Sequence, residues 1–468
     1  MPQAEKLRDI EDAGRSDLTL RNALLDAAMP PPSGLSPNAV RLAKNAIIDG
    51  LGVALAGAHD AAPVRARRAL AQLGGGGHSL IWGTTDRSSI ADAVFVNSVA
   101  EHTLAWDDYT LPMSGHSTAV LLPVCSALAD ECGSSGLDVL DAFLAGYEIN
   151  GRLGDLLGGG HYGRGWHSTS TIGVIGAAVS ASRLLGLDRE TTWNAMGIAA
   201  SAAGGFQGNF GSMTKSMHAG QAARAGLTAS YLARSGVDAN ASWLVSPTGY
   251  LALMGSRTAD QLDCPMPADG PADLVIEGEW GLVIKPYSCC GSAQPMIRAI
   301  VTLMDDNEID AVDITAIDVH VDPAVMALLV YERPQSPLEA RFCLPYLAAV
   351  AALDRAVGPD QFTAAALDRA DVARLMSRVT STADLDNPQS ARHRAEVTVR
   401  TRDRHFTIVT DVAEGHPSAP MSDVARRRKF DQGALQVLSR DRADQLFLAL
   451  DSIEALDHWA SASQLLEP

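Results

Sequence analysis

Residues 34–57 read GLSPNAVRLAKNAIIDGLGVALAG. Serine then proline at the start of an apolar run marks Ser36 as an N-cap and Pro37 as the first helical residue, where a missing N–H costs nothing. Val40, Ala43, Ile47 and Leu51 follow at helical spacing, which predicts an amphipathic helix. The signature returns in LDVLDAFLAGYEI (137–149), with Leu137, Leu140, Leu144 and Tyr147 as one stripe, and in GQAARAGLTASYLARSG (220–236), which stops at Gly236. Segments 171–185 and 191–203 are Ala- and Gly-rich on nearly all sides, a texture that lets helix backbones approach closely inside a bundle. The first part of the chain is therefore predicted to be mostly helical.

The texture changes after CPMPADGPADL (264–274), a Pro- and Gly-containing stretch that reads as a boundary. ITAIDVHVD alternates Ile317, Val319 and Val321 with polar residues, and AEVTVRTRDRHFTIVTDV carries two alternating runs around Arg402 and Asp403, as a β-hairpin would. LPYLAAVAALDRA between them is helix-like. The expected fold is mainly α: a helical domain over 1–267, a smaller α+β lid over 268–412, and a helical return over 413–468.

A chain of 468 residues exceeds what one core usually organises, in keeping with two domains. Hydrophobic residues make up 47% and charged residues 20%, the balance of a globular protein and not of a disordered one. A net charge of −18 argues against a nucleic-acid partner, so any anionic substrate must meet local cations. The six cysteines, Cys125, Cys132, Cys264, Cys289, Cys290 and Cys343, contain no C-x-x-C pair, which disfavours a disulfide framework or a zinc site. A reducing cytoplasm is the expected compartment. The first residues, MPQAEKLRDIEDAGRSD, lack an apolar core, and TIGVIGAAVSAS (171–182) is shorter than the about 20 apolar residues a membrane span needs.

Four runs could carry chemistry. AEHTLAWDDYTLPMSGHSTA (100–119) sets Asp107 and Asp108 beside Tyr109, Thr110 and His116. Burying an unpaired carboxylate costs several kcal/mol, so the pair predicts either a solvated loop or a wet polar cleft with cationic partners. HYGRGWHSTSTIGVIGAA (161–178) puts His167 or Ser168 at the start of a smooth helix, either as an ordinary cap or as an anion-binding helix end. GGFQGNFGSMTKSMHAGQAARAG (204–226) places Lys215 and His218 after clustered glycines; Thr214 before Lys215 breaks the phosphate-loop pattern, and His218 reads as a core histidine. LVIKPYSCCGSAQP (282–295) holds Lys285 among apolar and small residues, with Cys289 and Cys290 read as packing. Tyr331 opens a Pro-rich loop further on, where it reads either as a site residue or as a cover for the core.

Taken in order, NAIIDGLGVALAGAHD, DDYT…GHST, GWHSTSTIGVIGAA, NFGSMTKSMHAGQAARAG, KPYSCCGSAQP and EGHPSAPMSD…RRKFD resemble the MmgE/PrpD family. Its activities include 2-methylcitrate dehydratase, cis-aconitate decarboxylase and iminodisuccinate epimerase. The eight-residue step from Asp108 to His116 and the NFGSMTK run look most like the epimerase branch. The resemblance implies a homodimer without cofactor or metal, acting on a small polycarboxylate in a cleft between domains. It carries over Asp108, His116, His167, Lys215, Lys285 and Tyr331 as site residues. On that basis His116 and His167 are expected to move the proton, Asp108 to orient an imidazole, and Tyr331 to bond the substrate or donate a proton. Lys215 and Lys285 are expected to hold its carboxylates, with Asp107 and Thr110 also contacting it. Ala105 stands where relatives commonly have Asp, and Gln294 where many have His. These departures keep open an acid-binding or scaffold protein without activity. A pyridoxal enzyme built on Lys215 is the remaining alternative.

Overall fold

The computed structural model describes residues 18–29, 35–255, 274–386 and 393–468. The expected boundary at 264–274, apart from Leu274, and Cys264 lie outside them. The chain is mainly α-helical. Its principal helices are α1 (Pro37–Gly57), α2 (Ala61–Gln72), α3 (Ile90–Thr103), α4 (Thr118–Cys132), α5 (Gly136–Leu157), α6 (Gly173–Leu184), α7 (Arg189–Ser201) and α8 (Thr214–Arg234). The two-residue strands β1 (Ser79–Leu80) and β2 (Arg87–Ser88) pair between α2 and α3. A second group holds α9 (Gln294–Asp306), β3 (Ala316–Val321), α10 (Leu344–Asp354), β4 (Val379–Thr382), β5 (Ala395–Arg400) and β6 (His405–Thr410). Helices α11 (Asp423–Ala434) and α12 (Arg440–Asp451) follow.

Local chemistry sets these elements. Ser36 Oγ accepts from Ala39 N at 2.9 Å, with Pro37 in the first turn of α1. Leu140, Leu144 and Tyr147 are buried on α5, but Leu137 is 51% exposed. It belongs to the first turn, where Gly136 abuts the Ile453 carbonyl on one side and solvent lies on the other. The small residues do what their texture predicts. A Cβ on Gly226 of α8 would stand 2.5 Å from Ala177 Cβ and 2.6 Å from the Val174 carbonyl, so α8 crosses α6 nearly backbone to backbone. Gly226→Ala is expected to cost about 1–3 kcal/mol by overpacking, read as a lower urea midpoint; an unchanged midpoint would mean the crossing has slack.

Two large hydrophobic cores form among the described residues. One collects residues from Leu20 to Ile284 and again from Phe430 to Leu466, so α11 and α12 fold back onto the helical bundle. The other runs from Cys289 to Val399. Its sheet has strand order β4-β3-β5-β6, with β3 parallel to β4 and antiparallel to β5. Ile317, Val319 and Val321 point into this core, as the alternation predicts, and β5 and β6 form the expected hairpin. Among the described residues no helix is long and apolar enough to cross a membrane.

Candidate active site

A cavity of about 510 Å³ lies between the two cores. Ala105, His116, His167 and Lys215 line it from the helical side, and Cys290 and Phe342 from the other. Lys285 sits on the segment that passes from one core to the other.

The wall is built by the stretch 100–119 that carries the two adjacent aspartates. After α3 the chain turns at Ala105, whose φ of 51° is left-handed, a strained geometry for a residue with a Cβ. Tyr109 then pairs with Val283, and Thr110 with Gly115. A Cβ on Gly115 would lie 2.8 Å from Thr169 N, so only glycine lets this loop approach the turn at 168–171. His116 N donates to Thr169 Oγ1 at 3.1 Å, which fixes the imidazole at the mouth of α4. Behind the wall, Lys429 of α11 bonds Trp106 O at 3.0 Å and pairs with Asp49 at 2.6 Å. That places the late RRKFD run as a brace.

Asp107 is the hub. Its Oδ2 lies 2.6 Å from His102 Nδ1 and 3.0 Å from His116 Nδ1, and its Oδ1 lies 3.5 Å from Lys285 Nζ. Burial opposes its charge, but the two imidazoles and Lys285 outweigh that and hold the carboxyl well below its ordinary range. The three donor atoms of His102, Asp107 and His116 fall within 4.8 Å of one another. The ammonium of Lys285 shares the carboxylate, and the N···O distances are those of hydrogen bonds, so we assign a hydrogen-bonded group and not metal ligands.

The aspartates therefore do not line a wet cleft. Asp107 is fully buried and Asp108 is 2% exposed, and neither is on the cavity wall. Asp108, expected to orient an imidazole with its carboxylate, meets His116 only through its backbone carbonyl, 2.7 Å from Nδ1. Its carboxyl accepts from Thr118 Oγ1 at 2.7 Å, and burial pushes it up to about 8 despite that bond. Thr110 is also buried and off the wall, its backbone spent on Gly115. Tyr331 is turned away: its hydroxyl donates to the Phe210 carbonyl at 2.9 Å, and an added Cβ on Gly211, at φ +84°, would collide with it.

His167, Lys215 and Lys285 do reach the cavity together with His116. His167 begins a four-residue turn, Ser168–Thr171, that is separate from α6, and its side chain caps nothing, so the expected anion-binding end of a long helix is not formed. Burial, with His102 and Lys215 nearby, keeps its imidazole neutral. Burial likewise lowers His116, against the pull of Asp107 and with Lys285 and Lys215 adding to the effect. Lys285 Nζ is held 2.5 Å from the Ala105 carbonyl. Lys215 Nζ stands 6.0 Å over the Phe210 ring with no ion-pair partner among the described residues. Burial, only partly offset by Asp107, brings it down to about 8.

Two further residues belong to the cluster: His102, given no role from the sequence, and His218, read as a core histidine. His102 is fully buried on the last turn of α3, and His218 Nδ1 lies 3.0 Å from His167 Nδ1. The signal for His218 was its spacing, three residues after Lys215 on one helical face. Cys290, read as packing, is half-buried on the cavity wall. Gln294 bonds Tyr287 through both backbone groups, at 3.2 and 3.1 Å, and so shapes the loop after Lys285.

The comparisons with known proteins agree with this layout. The MmgE/PrpD N-terminal domain model matches residues 28–262 and the MmgE/PrpD C-terminal domain model matches residues 287–454. The chain is 28% identical to the cis-aconitate decarboxylase of Mus musculus over 454 residues, 92% of this chain and 90% of the relative. It is 29% identical to that of Homo sapiens over 401 residues, 83% and 82% of the two chains. A cis-aconitate decarboxylase-like protein, oryM, of Aspergillus oryzae is 28% identical, with 93% and 94% covered. These matches do not single out the epimerase branch. Running in order along both halves of the sequence, they make the chain an enzyme of the MmgE/PrpD family.

Proposed function

We propose that the enzyme is a lyase that removes CO₂ from a small unsaturated polycarboxylate, of which cis-aconitate is the leading candidate. The observation that carries this reading is Lys215, a buried ammonium facing the cavity beside Lys285 and two imidazoles without a carboxylate of its own. A cation buried in this way is costly until an anion joins it, so the cavity suits a substrate with several carboxylates. The cis-aconitate decarboxylases named above support the choice of reaction.

In this mechanism the bond between a carboxylate carbon and its neighbour breaks and CO₂ leaves. The electron pair moves into the adjoining C=C–carboxylate system, whose charge Lys215 and Lys285 stabilise. A proton then goes to the carbon at the far end of that system, so the net reaction consumes one proton. His116 is the carrier we assign. Its Nδ1 faces the Asp108 carbonyl and the Asp107 carboxylate, both acceptors, so Nδ1 holds a hydrogen and Nε2 is the atom free to exchange one. Carboxylates brought in by the substrate favour the imidazolium and charge it for delivery.

A second reading, epimerisation, has one observation in its favour: the substrate-free His116 is neutral, hence a base before it is an acid. An NMR time course in D₂O with a panel of citrate-like, aconitate-like and iminodisuccinate-like acids separates the readings. Decarboxylation gives CO₂ and one deuterium in the product. Epimerisation gives deuterium with the skeleton intact, and dehydration gives a new alkene. Acid binding without conversion across the panel would favour a scaffold. We include a homodimer in the proposal; light scattering tests it.

Lys215 also predicts a pH profile. Its ammonium binds the anion, and its proton is lost as pH rises through about 8. The fall of kcat/KM should therefore steepen by about a further tenfold per pH unit above that value. Lys215→Arg, charged throughout, should abolish this limb even at a lower plateau rate. A limb unmoved in the arginine variant would assign it to another group.

A further inference from the structure

His102 lies behind the cavity wall yet touches every group placed in the proton transfer. Its ring packs edge-on against His116, centroids 4.8 Å apart, and stacks on His167 at 5.6 Å. Its Nδ1 reaches the same carboxylate oxygen of Asp107 that receives His116 Nδ1. An ionised carboxylate only accepts, so His102 Nδ1 carries the hydrogen. Its Nε2 is buried and has no hydrogen-bond partner among the described residues.

We propose that His102 is a positioning residue: by donating Nδ1–H to Asp107 Oδ2 it fixes the rotation of that carboxylate and limits how strongly Asp107 holds the proton of His116. The proposal rests on the assignment of His116 as proton carrier for its catalytic meaning, but its geometry does not depend on the substrate. The other charges around this group are set by separate elements. Lys285 faces Oδ1 from the segment between the cores, Lys215 faces both imidazoles from α8, and His167 stands beside His102. Asp49, paired with Lys429, and Glu101 on α3 act on Asp107 from behind. Glu101 is held uncharged by burial, with Asp108 and Asp107 adding to the effect, so it adds little field of its own. With His102 silenced, Oδ2 has one donor left, and its charge acts on His116 alone.

The test is an NMR titration of ring ¹³Cε1 signals in histidine-labelled protein without substrate, for the native chain, His102→Phe and His102→Asn. Phenylalanine keeps the ring contacts and removes the donor; we expect the His116 midpoint to rise by about one pH unit, tenfold in proton affinity. Asparagine places an amide N–H where Nδ1–H stood and should restore the native midpoint. In kinetics the descending limb of kcat/KM that reports loss of the His116 proton should move to higher pH with the phenylalanine change and return with asparagine. Equal midpoints in the native and phenylalanine proteins, or an asparagine variant that behaves like phenylalanine, would overturn the proposal. Should the phenylalanine variant fail to fold, ¹⁵N ring shifts of the native protein decide: protonated Nδ1 with bare Nε2 on His102 is required, and the opposite tautomer overturns it. Because the titration needs no substrate, a failed decarboxylase assay would leave this result standing, and the reverse.

Discussion

Lys285→Met is expected to lose about 3–5 kcal/mol of stability and at least ~10²-fold in turnover. The ammonium is 1% exposed and serves two acceptors, the Ala105 carbonyl and Asp107 Oδ1. Removing it strands a buried carboxylate with two neutral imidazoles, and it frees the strained turn at Ala105 that lines the cavity. The pH dependence follows with its sign. Asp107 has a folded pKa below its unfolded 3.8, so its contribution is full above that value and fades only as pH falls through the folded pKa. Without Lys285 the folded pKa rises, and acid unfolding should begin at higher pH. Adding Asp107→Asn to the methionine change removes the stranded charge and should recover much of the stability while leaving turnover low. Chemical denaturation of both variants checks this, and native stability in Lys285→Met would show that the pair does not hold Asp107.

His116→Ala should lower kcat by ~10²–10⁴-fold with little loss of stability, since a proton-transfer group typically supplies that factor and the side chain is not fully buried. Added imidazole should return part of the rate. Asp107→Asn should follow it downward, because the amide cannot balance an imidazolium. Asp108→Asn should stay within about tenfold of native, because its carboxyl is largely protonated and an amide can still accept from Thr118. If Asp108→Asn were the damaging change and Asp107→Asn mild, the hub would be misassigned.

Local rules made much of the fold legible. Ser36 and Pro37 announced α1, alternation in 316–321 announced β3, and the small residues of 171–185 announced a close helix crossing. The site was legible as a set of segments and less so as side-chain directions. Asp107 and Asp108 are neighbours, and which one faces His116 depends on the left-handed turn at Ala105 and on the pairing of Tyr109 with Val283, a contact 174 residues distant in sequence. Nothing local encodes that choice. His102 was given no role from the sequence, because its partner Asp107 meets it only after the chain has turned back. Tyr331 was placed by motif, whereas its direction follows from the carbonyl that Phe210 happens to present.

That last contact has a counterpart. Arg341 donates its guanidinium to the carbonyls of Leu104 and Ser288, as Tyr331 does to that of Phe210. Apart from the Ser288 hydroxyl that Arg341 also reaches, both fastenings end on main-chain oxygen, which every amino acid offers. These bonds themselves do not depend on which side chains stand at 104 and 210. Attachment and selectivity are written in different atoms, and a scaffold with that separation can be retuned to new acids by small neutral steps.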